Sequence, residues 1–279
     1  MMIRPTLRVL SAIAPGIAAR VAARLWFRIP SPRVGADAEA FLATGEKFEL
    51  EAAGARVAAW RWGKGPAIVL VHGWGGYAAQ LRSFVEPLTR AGYQVITFDA
   101  PSHGASTAGK LGAHYATLFD FSDTLLAVTQ NLPEVAGIVA HSGGCAATAW
   151  AITRNPRLRV HRLVFVAPFG GAARYMAYFQ KQLGLSDEAM RRFRESTERQ
   201  FDFEWKDFEV PDMPAAMRVA TPQLLVVHDK GDRETSWQDG ADIAAKWQNA
   251  RLETTEGLGH NRILRDEKTV AKAVAFLTS

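Results

Sequence analysis

The sequence predicts an α/β protein with a largely parallel sheet. From about residue 47 short apolar runs alternate with stretches of helical length and pattern, as in chained strand–helix units. The run Ala67–Val71 (AIVLV) is apolar without interruption, as expected of a strand covered on both faces rather than one. The bulk properties agree: 279 residues, 48% apolar and 22% charged, suffice for one large domain that buries about three-quarters of its unfolded surface without staples.

The elements follow in order. Residues 1–46 form a basic amphipathic segment ahead of the main domain, 47–279. Arg4, Arg8, Arg20, Arg24, Arg28 and Arg33 precede the first carboxylate, Asp37, so the net charge of +5 belongs to this segment and the remainder is close to neutral. From Pro15 onward Ile17, Val21 and Leu25 recur at four-residue spacing beside Arg20, Arg24 and Arg28, the pattern of an amphipathic helix. Pro15 and Gly16 break the apolar run before it, so no span of about 20 apolar residues exists to cross a membrane. A cleaved signal peptide fits poorly, since Arg20 stands where a cleavage region would be. A helix packed on the body, a mobile arm, or a helix lying on an anionic membrane surface through residues 1–33 are the readings that remain.

Lys47–Glu51 and Arg56–Trp62 predict a hairpin across Ala53-Gly54, and Ala67–Val71 a buried strand ending in His72-Gly73-Trp74-Gly75-Gly76. A helix is expected around Gln80–Ala91, a strand at Gln94–Phe98, a helix over Gly112–Gln130, a strand at Gly137–Ala140, a helix from Gly143 to Thr153 and a strand at Leu163–Val166. The rhythm then breaks. Residues 168–220 hold no convincing parallel strand and are rich in Phe, Trp, Arg and Glu, which predicts a mostly helical cap insertion. Strand Gln223–Val227, helix Asp239–Asn249, strand Ala250–Thr254 and helix Arg265–Leu277 complete the chain.

A single cysteine, Cys145, rules out an internal disulfide and points to a reducing compartment, hence a cytoplasmic protein, with membrane association left to the basic segment. The body carries no basic stripe interleaved with aromatics, which argues against nucleic acid. No metal-ligand cluster, G-x-G-x-x-G turn or phosphate loop follows a strand, so no metal or cofactor is expected. Oligomeric state is not legible.

The chemistry concentrates in Gly137-Ile-Val-Ala-His-Ser-Gly-Gly-Cys-Ala-Ala147. A strand runs into Ser142 and a helix of small residues leaves it. A sharp turn there presses positions 140 and 144 against neighbouring backbone, which Ala140 and Gly144 tolerate, and aims the Gly143 N–H at an oxyanion. A serine between strand and helix can also be a simple helix cap. A hydroxyl nucleophile needs a base, and among seven histidines His260 stands in the glycine-flanked segment Gly257-Leu-Gly-His-Asn-Arg262, between the last strand and the last helix. The base in turn needs a carboxylate, for which His228-Asp-Lys-Gly-Asp-Arg-Glu234 offers Asp232, with Asp229 as the alternative.

Ala140-His141-Ser142-Gly143-Gly144 resembles the nucleophile elbow of the α/β-hydrolase family, G-x-S-x-G, with Ala for the first Gly. The order Ser142, Asp232, His260 is also that family's order of nucleophile, acid and base. His72-Gly73-Trp74 is similar to its H-G-x oxyanion motif, which implies Trp74 and Gly143 as backbone donors and puts the Trp74 side chain at the wall of an acyl pocket. Asp99-Ala-Pro-Ser-His-Gly resembles a further signature, with Ser102 where Gly is usual, and reads as structural. The resemblance covers about residues 55–279. It implies an α/β-hydrolase fold and a serine hydrolase of carboxylic esters, esterase- or lipase-like, acting on a small acyl substrate. Thioesterase, carbon–carbon hydrolase, acyltransferase and perhydrolase chemistry would use the same three residues, and a catalytically silent binding protein could share the fold.

Overall fold

The computed structural model describes residues 3–30 and 34–279; Arg33, the last arginine of the basic segment, lies outside them. Among the described residues the strands are β1 (Glu46–Ala52), β2 (Ala55–Trp62), β3 (Ala67–Val71), β4 (Gln94–Phe98), β5 (Val135–His141), β6 (Arg162–Val166), β7 (Gln223–Asp229) and β8 (Ala250–Thr255). The helices are α1 (Ile3–Ile13), α2 (Pro15–Trp26), α3 (Ala36–Leu42), α4 (Val85–Arg90), α5 (Leu118–Thr129), α6 (Gly143–Arg154), α7 (Ala172–Leu183), α8 (Asp187–Phe201), α9 (Trp237–Lys246), α10 (Gly259–Arg262) and α11 (Glu267–Thr278). All eight strands join one sheet in the order β1-β2-β4-β3-β5-β6-β7-β8. The β1–β2 and β2–β4 pairs are antiparallel and every other pair is parallel. This is the predicted α/β-hydrolase architecture.

Every residue of β3 is buried, because helices cover both faces of the sheet at that point. On one face Ile68, Leu70, Val139, Val164 and Val227 pack with Phe84, Leu88, Ile263, Val270 and Leu277, from the segment ending in α4 and from the C-terminal helices. On the other, α5, α6 and α9 close the sheet, with Phe165 of β6 set edge-on to Trp247, ring centroids 5.9 Å apart. The parallel strands all end at one edge, which is where their loops bring polar side chains together.

Local chemistry moves several boundaries. The helix expected from Gly112 starts at Leu118, where Thr117 and Asp120 form a reciprocal capping box. The helix expected at Gln80–Ala91 is a 3-10 turn, Ala78–Phe84, followed by α4, with Pro87 in the first turn of α4, where a missing N–H is harmless. Ser236 and Asp266 cap α9 and α11, so these begin at Trp237 and Glu267 rather than at Asp239 and Arg265. His260 sits in the short helix α10, not in open loop.

The chain divides into two compact units. One comprises the described part of Met1–Arg28 with Gly171–Glu209; the other comprises Ile29–Gly170 and Val210–Ser279 and contains the whole sheet. In the smaller unit Ala18, Ala19 and Ala22 are buried with Ala172, Met176, Ala189, Met190 and Phe193. Trp26 stands edge-on to Phe179 and Trp205 and lies 5.8 Å from Phe193. The Ser11 hydroxyl bonds that of Ser186 at 2.9 Å and accepts from the Ser186 N–H at 2.6 Å. The buried face of α2 is therefore its alanines. Ile17, on the apolar stripe of the predicted amphipathic helix, is 52% exposed, because small residues let α2 approach α8 closely and turn the larger ones outward.

Candidate active site

Ser142 joins β5 to α6 with φ 53° and ψ −123°, a conformation that costs a non-glycine residue of order 1–3 kcal/mol. It stands at the cap position of α6 but its side chain makes no capping hydrogen bond, so the simple-cap reading leaves both the strain and the free hydroxyl unexplained. The close packing expected around the turn is present. A Cβ at Gly144 would collide with the His72 carbonyl oxygen and come within 2.9 Å of that of Val71. A Cβ at Gly73 would come within 3.0 Å of the Ser142 Cβ, and one at Gly143 would stand 3.7 Å from the Trp74 backbone nitrogen. The Trp74 backbone nitrogen thus lies close to Gly143, the residue that follows Ser142. The Gly143 N–H heads α6 and has no preceding helical turn to accept it.

The His260 Nδ1–H donates to Asp232 Oδ2 at 2.7 Å. That carboxylate is buried, and its Oδ1 accepts the backbone N–H groups of Glu234 and Thr235 at 2.8 and 3.0 Å. Burial alone would raise its pKa; hydrogen bonds from His228 and His260, with the charge on His260, outweigh this and hold it well below the usual carboxylate range. Asp229 faces elsewhere. Its oxygens take the N–H groups of Gly231 and Leu258 at 2.9 Å each and the Thr255 hydroxyl at 2.8 Å, tying the turn after β7 to the segment before His260. Of the two carboxylates, only Asp232 is hydrogen-bonded to the histidine.

Four further residues complete the setting, and the motifs did not single them out. The His141 Nε2–H donates to the His260 carbonyl at 3.0 Å with the rings 4.6 Å apart, which ties the elbow to the base. The Thr235 hydroxyl lies 3.1 Å from Asp232 Oδ2, 3.2 Å from His260 Nδ1 and 3.2 Å from the Ala167 carbonyl, and its one proton can serve only one acceptor at a time. His228 places Nε2 3.5 Å from Asp232 Oδ2 in full burial. Gln80 accepts the Gly73 N–H at 3.1 Å and reaches Asn261 at 3.5 Å, linking the loop after β3 to α10. His228 stands inside β7, which runs on to Asp229, two residues past the expected strand end at Val227.

The loop after β3 is held from behind by two neutral imidazoles. His72 Nε2 accepts the Ala100 N–H at 3.0 Å while its Nδ1–H donates to Gly73 O; His103 Nε2 accepts the Gly75 N–H at 3.1 Å while its Nδ1–H donates to Pro101 O. Burial pushes His72 well below its ordinary pKa and His103 down to about 4. Asp99 accepts from the Ala78 and Ala105 N–H groups, and burial raises it to about 6 against those bonds. It is a structural brace, as its motif suggests. Ser102, in the place usual for Gly, takes φ 65° and its hydroxyl bonds Gly112 O and the Gly109 N–H. Cys145 is buried with its thiol directed at Ala140 O, and burial raises its pKa well above the ordinary value.

The family model described as the alpha/beta hydrolase family matches residues 68–273. No curated protein matches the sequence. Solved structures with the same fold include a membrane phospholipase A described as a bacterial virulence factor, at 17% identity over 96% of this chain and 95% of that one, TM-score 0.64. Another is Est1E of Butyrivibrio proteoclasticus with ferulic acid bound, at 20% identity over 82% and 96%, TM-score 0.60. A third is the thioesterase domain of the curacin biosynthetic pathway, at 17% identity over 84% and 99%, TM-score 0.61. At these identities the likeness is one of fold.

Proposed function

This chain belongs to the alpha/beta hydrolase family, and from that premise we propose that it is a serine hydrolase that cleaves a carboxylic ester through an acyl-enzyme on Ser142. The observation that carries the reading is the strained, uncapped Ser142 at the C-terminal edge of the sheet, where Asp232 also fixes His260. The hydrogen bond to Asp232 occupies Nδ1 and leaves Nε2 as the nitrogen that can take a proton.

In the first half-reaction His260 Nε2 removes the Ser142 hydroxyl proton as Oγ attacks the ester carbonyl carbon. The resulting oxyanion is held by the Trp74 and Gly143 N–H groups. Collapse breaks the carbon–oxygen bond, and the alcohol leaves with the proton from His260. In the second half-reaction His260 deprotonates water, water attacks the acyl carbon, and the acid departs as Ser142 regains its proton. Each oxyanion donor is worth roughly 3 kcal/mol, a hundredfold or more in rate. Asp232 stabilises the imidazolium formed in both halves.

Proteins of this fold are described as a phospholipase A, as a thioesterase domain and as Est1E with ferulic acid bound, so the acyl class has to be measured. The test is hydrolysis of p-nitrophenyl esters from acetate to laurate by wild type beside Ser142→Ala, with fluorophosphonate labelling of both. Activity and labelling that vanish in the mutant are expected, with kcat down by several decades. Labelling that persists in Ser142→Ala would remove Ser142 from the mechanism, and a wild type that neither labels nor turns over would leave a binding protein.

A further inference from the structure

Among the described residues five large apolar side chains are exposed, and three of them follow one another in sequence, Val9 (60%) and Ile13 (76%) on α1 and Ile17 (52%) on α2, with the non-helical Ala14 between the two helices. The packing of these helices determines which way they face. Leu7 and Ser11 are the buried positions of α1, and at 100° per residue Val9 and Ile13 fall on its opposite side. In α2 the alanines face inward, which leaves Ile17 outward.

The charges beside them are one-sided. Arg4, Arg8, Arg20, Arg24 and Arg28 are all exposed, and no carboxylate occurs before Asp37. None of the five takes part in an ion pair among the described residues. On α8 of the same compact unit Arg191 pairs with Glu188 and Glu195 and Arg192 with Glu188, while Arg194 is exposed with no ion pair among the described residues. Residues 4–28 therefore combine exposed apolar side chains with five exposed, unpaired arginines and no carboxylate.

We propose that this segment docks on an anionic phospholipid bilayer. Val9, Ile13 and Ile17 enter the boundary between headgroups and acyl chains, while the arginines meet lipid phosphates. The helices lie on the surface rather than cross it, since no helix among the described residues is long and apolar enough to span. A second copy of the chain is the poorer occupant, because self-association would bring the same unpaired arginines against each other.

Deleting residues 1–33 would not test this cleanly, because it removes Ala18, Ala22 and Trp26 from the core of their unit. Surface substitutions avoid that. Full-length protein, Arg20→Gln/Arg24→Gln and Ile13→Ser/Ile17→Ser would be sedimented with phosphatidylserine–phosphatidylcholine vesicles and with pure phosphatidylcholine, at low and physiological salt, after circular dichroism establishes that each is folded. Wild type should prefer the anionic vesicles. The arginine variant should bind them on the order of twentyfold more weakly, from about fivefold per charge, and the isoleucine variant should lose the binding that survives salt. Equal binding to both vesicle types, or both variants binding as wild type, overturns the proposal. So does a dimer in sedimentation velocity that the isoleucine variant dissolves. Vesicle binding is read without turnover, so its failure leaves the acyl-enzyme reading untouched.

Discussion

Asp229 and Asp232 stand three residues apart, both with buried carboxylates, and their partners give them different work. Asp232 meets His260 Nδ1, two backbone N–H groups, and the neighbourhood of His228 and Thr235. Asp229 meets two backbone N–H groups and a threonine, and no histidine. Asp232→Asn should therefore leave the fold intact and lower kcat by about 10⁴, because the amide cannot stabilise an imidazolium and favours the wrong tautomer. Asp229→Asn should act on stability, at roughly 1–3 kcal/mol for an unsatisfied buried donor, with kcat falling far less. Steady-state kinetics beside urea unfolding of both variants separates the two roles. The assignment fails if Asp229→Asn is the variant that loses turnover while Asp232→Asn retains it.

At the scale of elements, α2 carries the main lesson. Its sequence shows an apolar row, Ile17, Val21, Leu25, and the row invites an inward reading. What is buried is Ala18, Ala19 and Ala22, since the partner, α8, lies some 170 residues away in sequence and approaches too closely for large side chains. Trp26, at the end of α2, meets Phe179, Phe193 and Trp205. Trp26→Ala should cost about 3 kcal/mol and open this unit first. Limited proteolysis should cut within 171–209 well before the sheet, and simultaneous cleavage throughout the chain would refute local opening. The elements with local signals were legible without a structure: uninterrupted apolar β3, the small residues around Ser142, the glycines flanking His260. Boundaries set by side-chain caps, as at Thr117 and Ser236, were less so, because many other threonines and serines offer the same hydroxyl. Partnerships across long separations, His141 with His260 or α2 with α8, leave no mark in either segment alone.

For the whole molecule, the buried histidines set how stability depends on pH. His72, His103 and His141 titrate near 6.5 in the unfolded chain, while in the fold burial holds His103 near 4, His141 near 3 and His72 well below its ordinary value. As pH falls below 6.5 the unfolded chain binds protons that the native state refuses, so stability present above that pH is lost on acidification toward 4. Each such proton contributes a slope of at most about 1.4 kcal/mol per pH unit, or about 4 for the three together. Asp99 opposes them: its folded pKa of about 6 lies above the unfolded value, so the native state gains one proton over the same window. Burial also raises Asp120 and Asp123, in the same sense as Asp99, but the three imidazoles are shifted the furthest, which leaves net destabilisation, and Asp232, held low in the fold, adds to it at still lower pH. The urea midpoint should thus fall steadily from pH 7 to pH 4.5, and His103→Gln should flatten that fall by up to one proton's slope. Because His72 and His103 hold Gly73 and Gly75 through the loop at 99–103, this acid transition should release the loop after β3 together with the fold. Activity lost in this transition should therefore return on neutralisation only at the rate at which the fold is recovered, measured by circular dichroism beside turnover. A midpoint unchanged between pH 7 and pH 4.5 would mean that the native rings accept protons as readily as the unfolded ones, and the two neutral imidazoles could not then be what holds the loop in place.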